Sequence, residues 1–158
     1  MNGTTTITAS RLDVGYGLHT VVRDIAFETR PGDLIALIGT NGSGKSTLLK
    51  TLAGMLPALH GSVSVLGGAP GRSPKRVAYL PQHPVSSHTL PLCAGDVVAM
   101  GRYAHLGLFG RSTAKDRAIV GDTMRRTGAM DFADKSLREL SGGQQQRTHL
   151  AQVLARQA

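Results

Sequence analysis

The chemistry in this chain concentrates in Gly39-Thr40-Asn41-Gly42-Ser43-Gly44-Lys45-Ser46, which fits the spacing G-x-x-x-x-G-K-S. That spacing suits phosphate binding. Glycines let the backbone curl through positive φ, so that several N–H groups converge on one point. A helix that follows aims its positive N-terminal end at the same point. Lys45 adds a mobile full charge that can reach terminal phosphates. The Ser46 hydroxyl is a hard oxygen ligand of the kind Mg²⁺ prefers. A Gly-rich turn with an incidental lysine would not need to sit between an apolar run and a helical stretch, as this one does. GTPases, small-molecule kinases, recombinases and transport ATPases share such a loop, so it selects a ligand class and not a function.

A second candidate is Leu140-Ser141-Gly142-Gly143-Gln144-Gln145-Gln146-Arg147. Ser141 is placed to cap a helix. Gly142 and Gly143 leave backbone N–H groups uncovered at the helix start, which is a second anion-binding surface. An ordinary Ser-Gly-Gly helix start accounts for the same residues equally well.

These residues need elements to hold them. Thr4–Thr8 with Leu12–Val14 reads as an early strand, paired across the Gly15–Gly17 turn with a second strand over Val21–Thr29. Leu34–Ile38 is a continuous apolar run, as in a strand buried on both faces of a parallel sheet. Ser46–Met55 reads as a helix that stops before Pro57. Ser62–Leu66 and Arg76–Leu80 read as short strands. Beyond Pro84 the pattern turns helical, with helices over Gly95–Arg102 and Thr113–Thr127 joined by a loop containing Gly101, Gly107 and Gly110. Ala114, Ala118, Val120 and Met124 form the apolar stripe of the second. A last helix begins after Ser141, with Leu150, Val153 and Leu154 as its expected buried face.

The 158 residues suffice for one domain with a core. Hydrophobic content of 41% and charged content of 18% argue against disorder. No apolar run approaches the ~20 residues of a spanning helix, and no secretory leader is evident at the start. The single cysteine, Cys93, excludes an internal disulfide framework and fits a reducing compartment. Lys and Arg exceed Asp and Glu by 18 to 10, a net charge of +8. That balance suits phosphate ligands, nucleic acid or an anionic membrane face.

Together, the two motifs in this order resemble the nucleotide-binding subunit of an ABC transporter, over essentially the whole chain. Gln82, in Tyr79-Leu80-Pro81-Gln82, resembles the family's Q-loop glutamine, which reaches the Mg²⁺ and the attacking water. Tyr16 resembles the aromatic that stacks on adenine; the plainer alternative is a turn aromatic covering the sheet. The resemblance implies an α/β P-loop NTPase fold with a mixed sheet core, an N-terminal antiparallel β part and a helical signature subdomain. Residues 1–83 would form the β and phosphate-loop core, 84–140 the helical subdomain and 141–158 the signature helix of one incomplete domain. It implies ATP and Mg²⁺ as cofactors. Tyr16, Gly39, Asn41, Gly42, Ser43, Gly44, Lys45, Ser46 and Thr47 would hold the nucleotide, and Ser46 and Gln82 the Mg²⁺. Ser141, Gly142, Gly143 and Gln144 would act in trans on the nucleotide of a paired ATPase subunit, in a homodimer or otherwise. The further partners implied are integral membrane permease subunits and an extracytoplasmic substrate-binding protein, with no nucleic acid. The location implied is the cytoplasmic face of the membrane.

The family's next elements, an apolar strand ending in Asp-Glu (Walker B), a D-loop and a switch histidine, do not follow. No Asp-Glu dipeptide occurs anywhere, and every histidine lies at or before the signature helix. A missing general base costs typically 10²–10⁴-fold in rate. The expectation is a truncated piece of a longer subunit without sustained ATP hydrolysis, in which Leu34–Ile38 presents an open apolar edge. Asp96–Tyr103 with Leu106–Phe109 resembles the helical region of zinc and manganese importers. Iron-siderophore, haem and cobalamin importers carry a comparable Val-Met/Leu-Gly-Arg stretch there. His83, His88 and Cys93 match no closed zinc motif and read as a solvated loop. The region from Gln82 to Arg102 is the expected docking place for the membrane partner. Arg125-Arg126 reads as a solvated face. The resemblance implies zinc- or manganese-like metal uptake; the alternatives are an iron-siderophore, haem or cobalamin importer ATPase, a non-transport ABC ATPase of repair or translation, or an inert nucleotide-binding fragment. The short interval from Gln82 to Ser141 leaves no room for the coiled-coil insertions of repair members.

Overall fold

A computed structural model describes residues 5–82, 91–106 and 110–157. The chain divides into two compact units, with the boundary between Val77 and Ala78.

The first unit is built on a three-stranded antiparallel sheet in the order β2-β1-β3: β1 (Ile7–Tyr16), β2 (His19–Thr29) and β3 (His60–Val65). β1 runs against β2 from Ile7↔Thr29 to Tyr16↔His19, and against β3 from Ile7↔Val65 to Asp13↔His60. The hairpin closes through Gly17, which takes φ 55°. β1 carries a register shift between Ala9 and Leu12 against β2, with Arg11 at φ 46°. The shift has a purpose in the core. Buried Ala9 precedes it, and buried Leu12 and Val14 follow it on the opposite parity. A bulge of this kind keeps apolar side chains on one face when strict alternation would expel them. Leu48 of α1 (Lys45–Leu52) completes this core, with Val22, Ile25 and Phe27 packed against it.

Two expected strands are not formed. Leu34–Ile38 has no ladder partner among the described residues, and Leu34 and Ile38 are 98% and 95% exposed. It is therefore neither buried on both faces nor a sheet edge. Arg76–Leu80 is likewise irregular. Both runs have the composition of strands, but a strand exists only through hydrogen bonds to a neighbour, and composition supplies none. The formed sheet is accordingly antiparallel throughout.

The second unit is helical: α2 (Ala94–Met100), α3 (Tyr103–Leu106), α4 (Ala114–Thr127) and α5 (Gly142–Ala155), with short 3₁₀ turns at Met130–Phe132 and Leu137–Glu139. Its core gathers Val97 and Val98 of α2, Met124 of α4, Phe132 and Leu137 of the turns, and Ala151 and Ala155 of α5. α4 starts at a reciprocal cap between Thr113 and Asp116 and stops at Gly128, φ 64°. Thr-x-x-Asp before the helix and a left-handed glycine after it set both ends.

Two helix faces differ from expectation. On α4, Ala114 and Ala118 are exposed, and the buried positions are Asp116, Thr123 and Met124. On α5, Leu150 and Leu154 are exposed at 41% and 38%, whereas Thr148, Ala151 and Ala155 are fully buried. Small side chains win here because the end of α2 comes so close. A Cβ on Gly101 would lie 2.2 Å from the Gln152 carbonyl oxygen and 3.2 Å from the Ala155 Cβ.

Candidate functional site

In the first unit the phosphate-loop residues lead directly into α1, as the sequence requires. Gly44 occupies the position before the helix at φ 86°, where a side chain is strained. It is also pressed against β2: a Cβ there would lie 2.2 Å from Val22 Cγ2. So the loop glycine is needed twice, for conformation and for space. A Cβ on Gly39 would intrude 2.8 Å from the Ser43 Oγ. Into this curl the Lys45 Nζ donates hydrogen bonds to the carbonyl oxygens of Gly39 (2.8 Å) and Thr40 (2.6 Å) and to Ser43 Oγ (3.1 Å). Asn41, Gly42 and Ser46 are exposed. No side chain caps α1 and no acidic residue lies in its first turn. Its N-terminal N–H groups and positive dipole end therefore face outward with a lysine beside them, an arrangement suited to an anion.

Tyr16, at the end of β1, joins this group through α1. The Thr47 hydroxyl pulls its phenol below the ordinary 10.0, against a smaller opposing effect of burial, and the Lys50 charge adds to the pull. The Lys50 Nζ lies 6.0 Å from the ring centroid. The ring is 47% exposed and offers a surface on which a flat ligand could stack. Lys50 belongs to no sequence motif; its i, i+3 spacing from Thr47 on one helix is the signal that could have found it.

In the second unit Ser141 caps α5 reciprocally. Its Oγ accepts from the Gln144 N–H (3.4 Å), and the Gln144 Oε1 accepts from the Ser141 N–H (2.9 Å). Gly142 and Gly143 are exposed, and a Cβ added at either would meet nothing within 4 Å. Their N–H groups lie outside the capping box, and no acid stands in this first turn either. Gln145, indistinct in sequence within a run of glutamines, holds the turn before the cap: its Nε2 donates to the carbonyls of Leu137 (3.0 Å) and Leu140 (3.2 Å). Gln82 is exposed and lines a cleft of about 460 Å³ together with Leu80, Pro81, Gly143 and Gln146. The structure thus brings Gln82 and the start of α5 to one concavity.

Cys93 sits at the N-cap of α2, its N–H donating to Asp96 Oδ2 (3.1 Å). His83, His88 and Leu108-Phe109 lie outside the described residues, as does the stretch 83–90 of the expected docking segment. Arg125 and Arg126 are exposed and reach Asp122 at 3.9 and 3.8 Å. No helix among the described residues is long and apolar enough to cross a membrane.

The chain is 36% identical over 152 residues to the manganese transport system ATP-binding protein MntB of Halalkalibacterium halodurans, covering 96% of this chain and 60% of that protein. It is 39% identical to the zinc transport system ATP-binding protein TroB of Treponema pallidum, covering 93% of this chain and 55% of the relative. A solved ATP-binding subunit of an ABC transporter superposes with a TM-score of 0.78 at 26% identity, covering 96% of this chain and 62% of the other. The chain thus spans somewhat more than half the length of these relatives. The ABC transporter family model matches residues 22–158, a stretch that takes in the phosphate loop, Gln82 and all of α5, and the chain belongs to that family.

Proposed function

We propose that this chain is the nucleotide-binding part of a subunit that couples ATP hydrolysis to the import of a divalent metal ion, manganese or zinc. The observation that carries the nucleotide reading is the Lys45 ammonium held inside the Gly39–Ser43 curl at the open start of α1. The curl fits a phosphate group, because its glycines leave room that a Cβ on Gly39 would fill. Gly39–Thr47 would cradle the phosphates through backbone N–H groups, and Lys45 would exchange its carbonyl partners for phosphate oxygens. Tyr16 would stack on the base, a contact worth ~1–3 kcal/mol where aromatics meet nucleobases.

The hydroxyl of Ser46 suits Mg²⁺, with Gln82 as a further oxygen donor; when bound, Mg²⁺ would neutralise charge on the phosphates. Ser141, Gly142, Gly143 and Gln144 would meet the nucleotide of a second subunit, so that two chains together make complete sites. On this reading residues 1–83 form the nucleotide core, 84–140 the helical subdomain and 141–158 the signature helix. Membrane permease subunits and an extracytoplasmic binding protein would complete the system, at the cytoplasmic face of the membrane. The metal cargo rests on the names of the relatives, manganese and zinc transport proteins. No residue of this chain needs to touch the cargo.

Calorimetric titration with Mg-ATP tests the first part. Lys45→Ala is expected to weaken binding at least about tenfold, the loss of one charge-assisted contact to phosphate. Equal affinity would remove the phosphate-loop assignment. Because the chain holds no Asp-Glu pair, phosphate release measured alongside is expected to show no sustained turnover. The cargo is tested in cells by manganese and zinc accumulation after loss of the gene; unchanged accumulation of both removes the metal reading and leaves the nucleotide reading intact.

A further inference from the structure

Gly101 and Arg102, at the end of α2, have no part in the nucleotide contacts proposed above. Arg102 is 6% exposed, and so is Asp116. The Arg102 Nε donates to Asp116 Oδ1 at 2.9 Å. Its Nη1 donates to the Ala155 carbonyl oxygen (2.9 Å) and to Gln157 Oε1 (3.2 Å). Asp116 is itself fixed: its Oδ2 accepts from the N–H (3.0 Å) and the hydroxyl (2.6 Å) of Thr113. The Thr113 bonds, followed by Arg102, hold the Asp116 carboxyl well below the usual carboxylate range. Beside this, His105 Nε2 lies 2.6 Å from the Arg156 carbonyl oxygen.

A helix ends with carbonyls that lack partners within it. At the end of α5, those of Val153 and Leu154 are met by the N–H groups of Arg156 and Gln157. Those of Ala155 and Arg156 are met by Arg102 and His105. The charges also suit the dipoles: a cation stands at the C-terminal end of α5 and a carboxylate in the first turn of α4. Gly101 allows the approach, since its Cβ would collide with the Gln152 carbonyl.

We propose that Gly101-Arg102, locked by Asp116, is a positioning clasp for α5, gripping its C-terminal end and thereby setting where its Ser141–Gln144 end stands. α5 has 14 residues, so the two ends are about 20 Å apart. A straight, hydrogen-bonded helix passes a tilt at one end to the other. The meaning given to the Ser141–Gln144 end rests on the function proposed above, but the clasp itself does not.

The test uses the full chain, ¹⁵N-labelled, without nucleotide, so that a failed ATP titration and a failed clasp are separate results. Arg102→Met leaves Asp116 buried without its partner and is expected to destabilise the helical unit. The double variant Arg102→Met/Asp116→Leu replaces the pair by apolar groups, which commonly restores stability, yet it offers no donor to the Ala155 carbonyl. Its thermal stability is expected to recover while the amide resonances of Gly142, Gly143 and Gln144 stay displaced. Amides in the last turn of α5 should then exchange about tenfold faster or more, the loss of the charged donor to the Ala155 carbonyl. Wild-type resonances at Gly142–Gln144 in a restored double variant would overturn the proposal, because the pair would then act on stability alone. If neither variant folds, Asp116→Asn decides: it keeps Arg102 but loosens its lock, and unmoved Gly142–Gln144 resonances there overturn the clasp as well.

Discussion

Two helices of this protein begin at glycines and are finished in opposite ways. α1 opens with no side-chain cap, beside its own lysine, and at a glycine whose conformation and surroundings admit no other residue. α5 opens with a closed capping box and at glycines standing in open space. The far ends differ too. α1 ends with Lys50 in its last turn, whereas α5 ends in the grip of Arg102 and His105. The contrast separates two ways of presenting N–H groups to an anion. The first is a loop that wraps and carries its own cation. The second is a preformed helix end, whose capping box leaves the Gly142 and Gly143 N–H groups outside it, held from behind.

The largest expected effect comes from releasing that rear hold. Asp116 has its folded-state carboxyl below the ordinary 3.8, so its contribution to stability is complete at neutral pH and is lost as pH falls past 3.8 toward the lower folded value. Asp116→Asn is expected to lower the thermal midpoint clearly at pH 7, and the gap from wild type should shrink on acidification below about pH 4. Midpoints followed by circular dichroism between neutral and acid pH check this; a gap that widens in acid contradicts the assigned sign.

Next in size is Gly44→Ala. The left-handed conformation and the 2.2 Å approach to Val22 should together cost about 2–4 kcal/mol, from overpacking and strain. Denaturant titration gives the number, and a loss under about 1 kcal/mol would mean that the loop rearranges at little cost. The smallest effect completes the contrast. Gly142→Ala meets nothing within 4 Å and adds a better helix former, so a change within about 0.5 kcal/mol is expected. A large loss at Gly142 would erase the distinction between the two glycine-led starts.

Much of this is legible from local order. The phosphate loop is a run of consecutive residues, so its chemistry needs no tertiary partner to be recognised. Ser141-x-x-Gln144 and Thr113-x-x-Asp116 are short-range caps, and both helices begin where those residues stand. What escapes are properties owned by pairs distant in sequence. Leu34–Ile38 has the composition of a strand, yet nothing among the described residues pairs with it. The leucines of α5 have the spacing of a buried face, yet Thr148, Ala151 and Ala155 are the buried positions, and Gly101 comes close at Ala155. Arg102 reads locally as the end of a helix, and its partners lie at Asp116, Ala155 and Gln157.

The amino-acid sequence alone determined the ligand chemistry and the starts of α1, α4 and α5, because glycine conformations, caps and lysine charge act over a few residues. The tertiary structure alone decided which face of α5 is buried, which apolar runs join a sheet, and that Arg102 holds the far end of α5. Those outcomes depend on close approach between segments brought together only by folding, where the space left for a side chain and the partner left for a carbonyl are set by the neighbour.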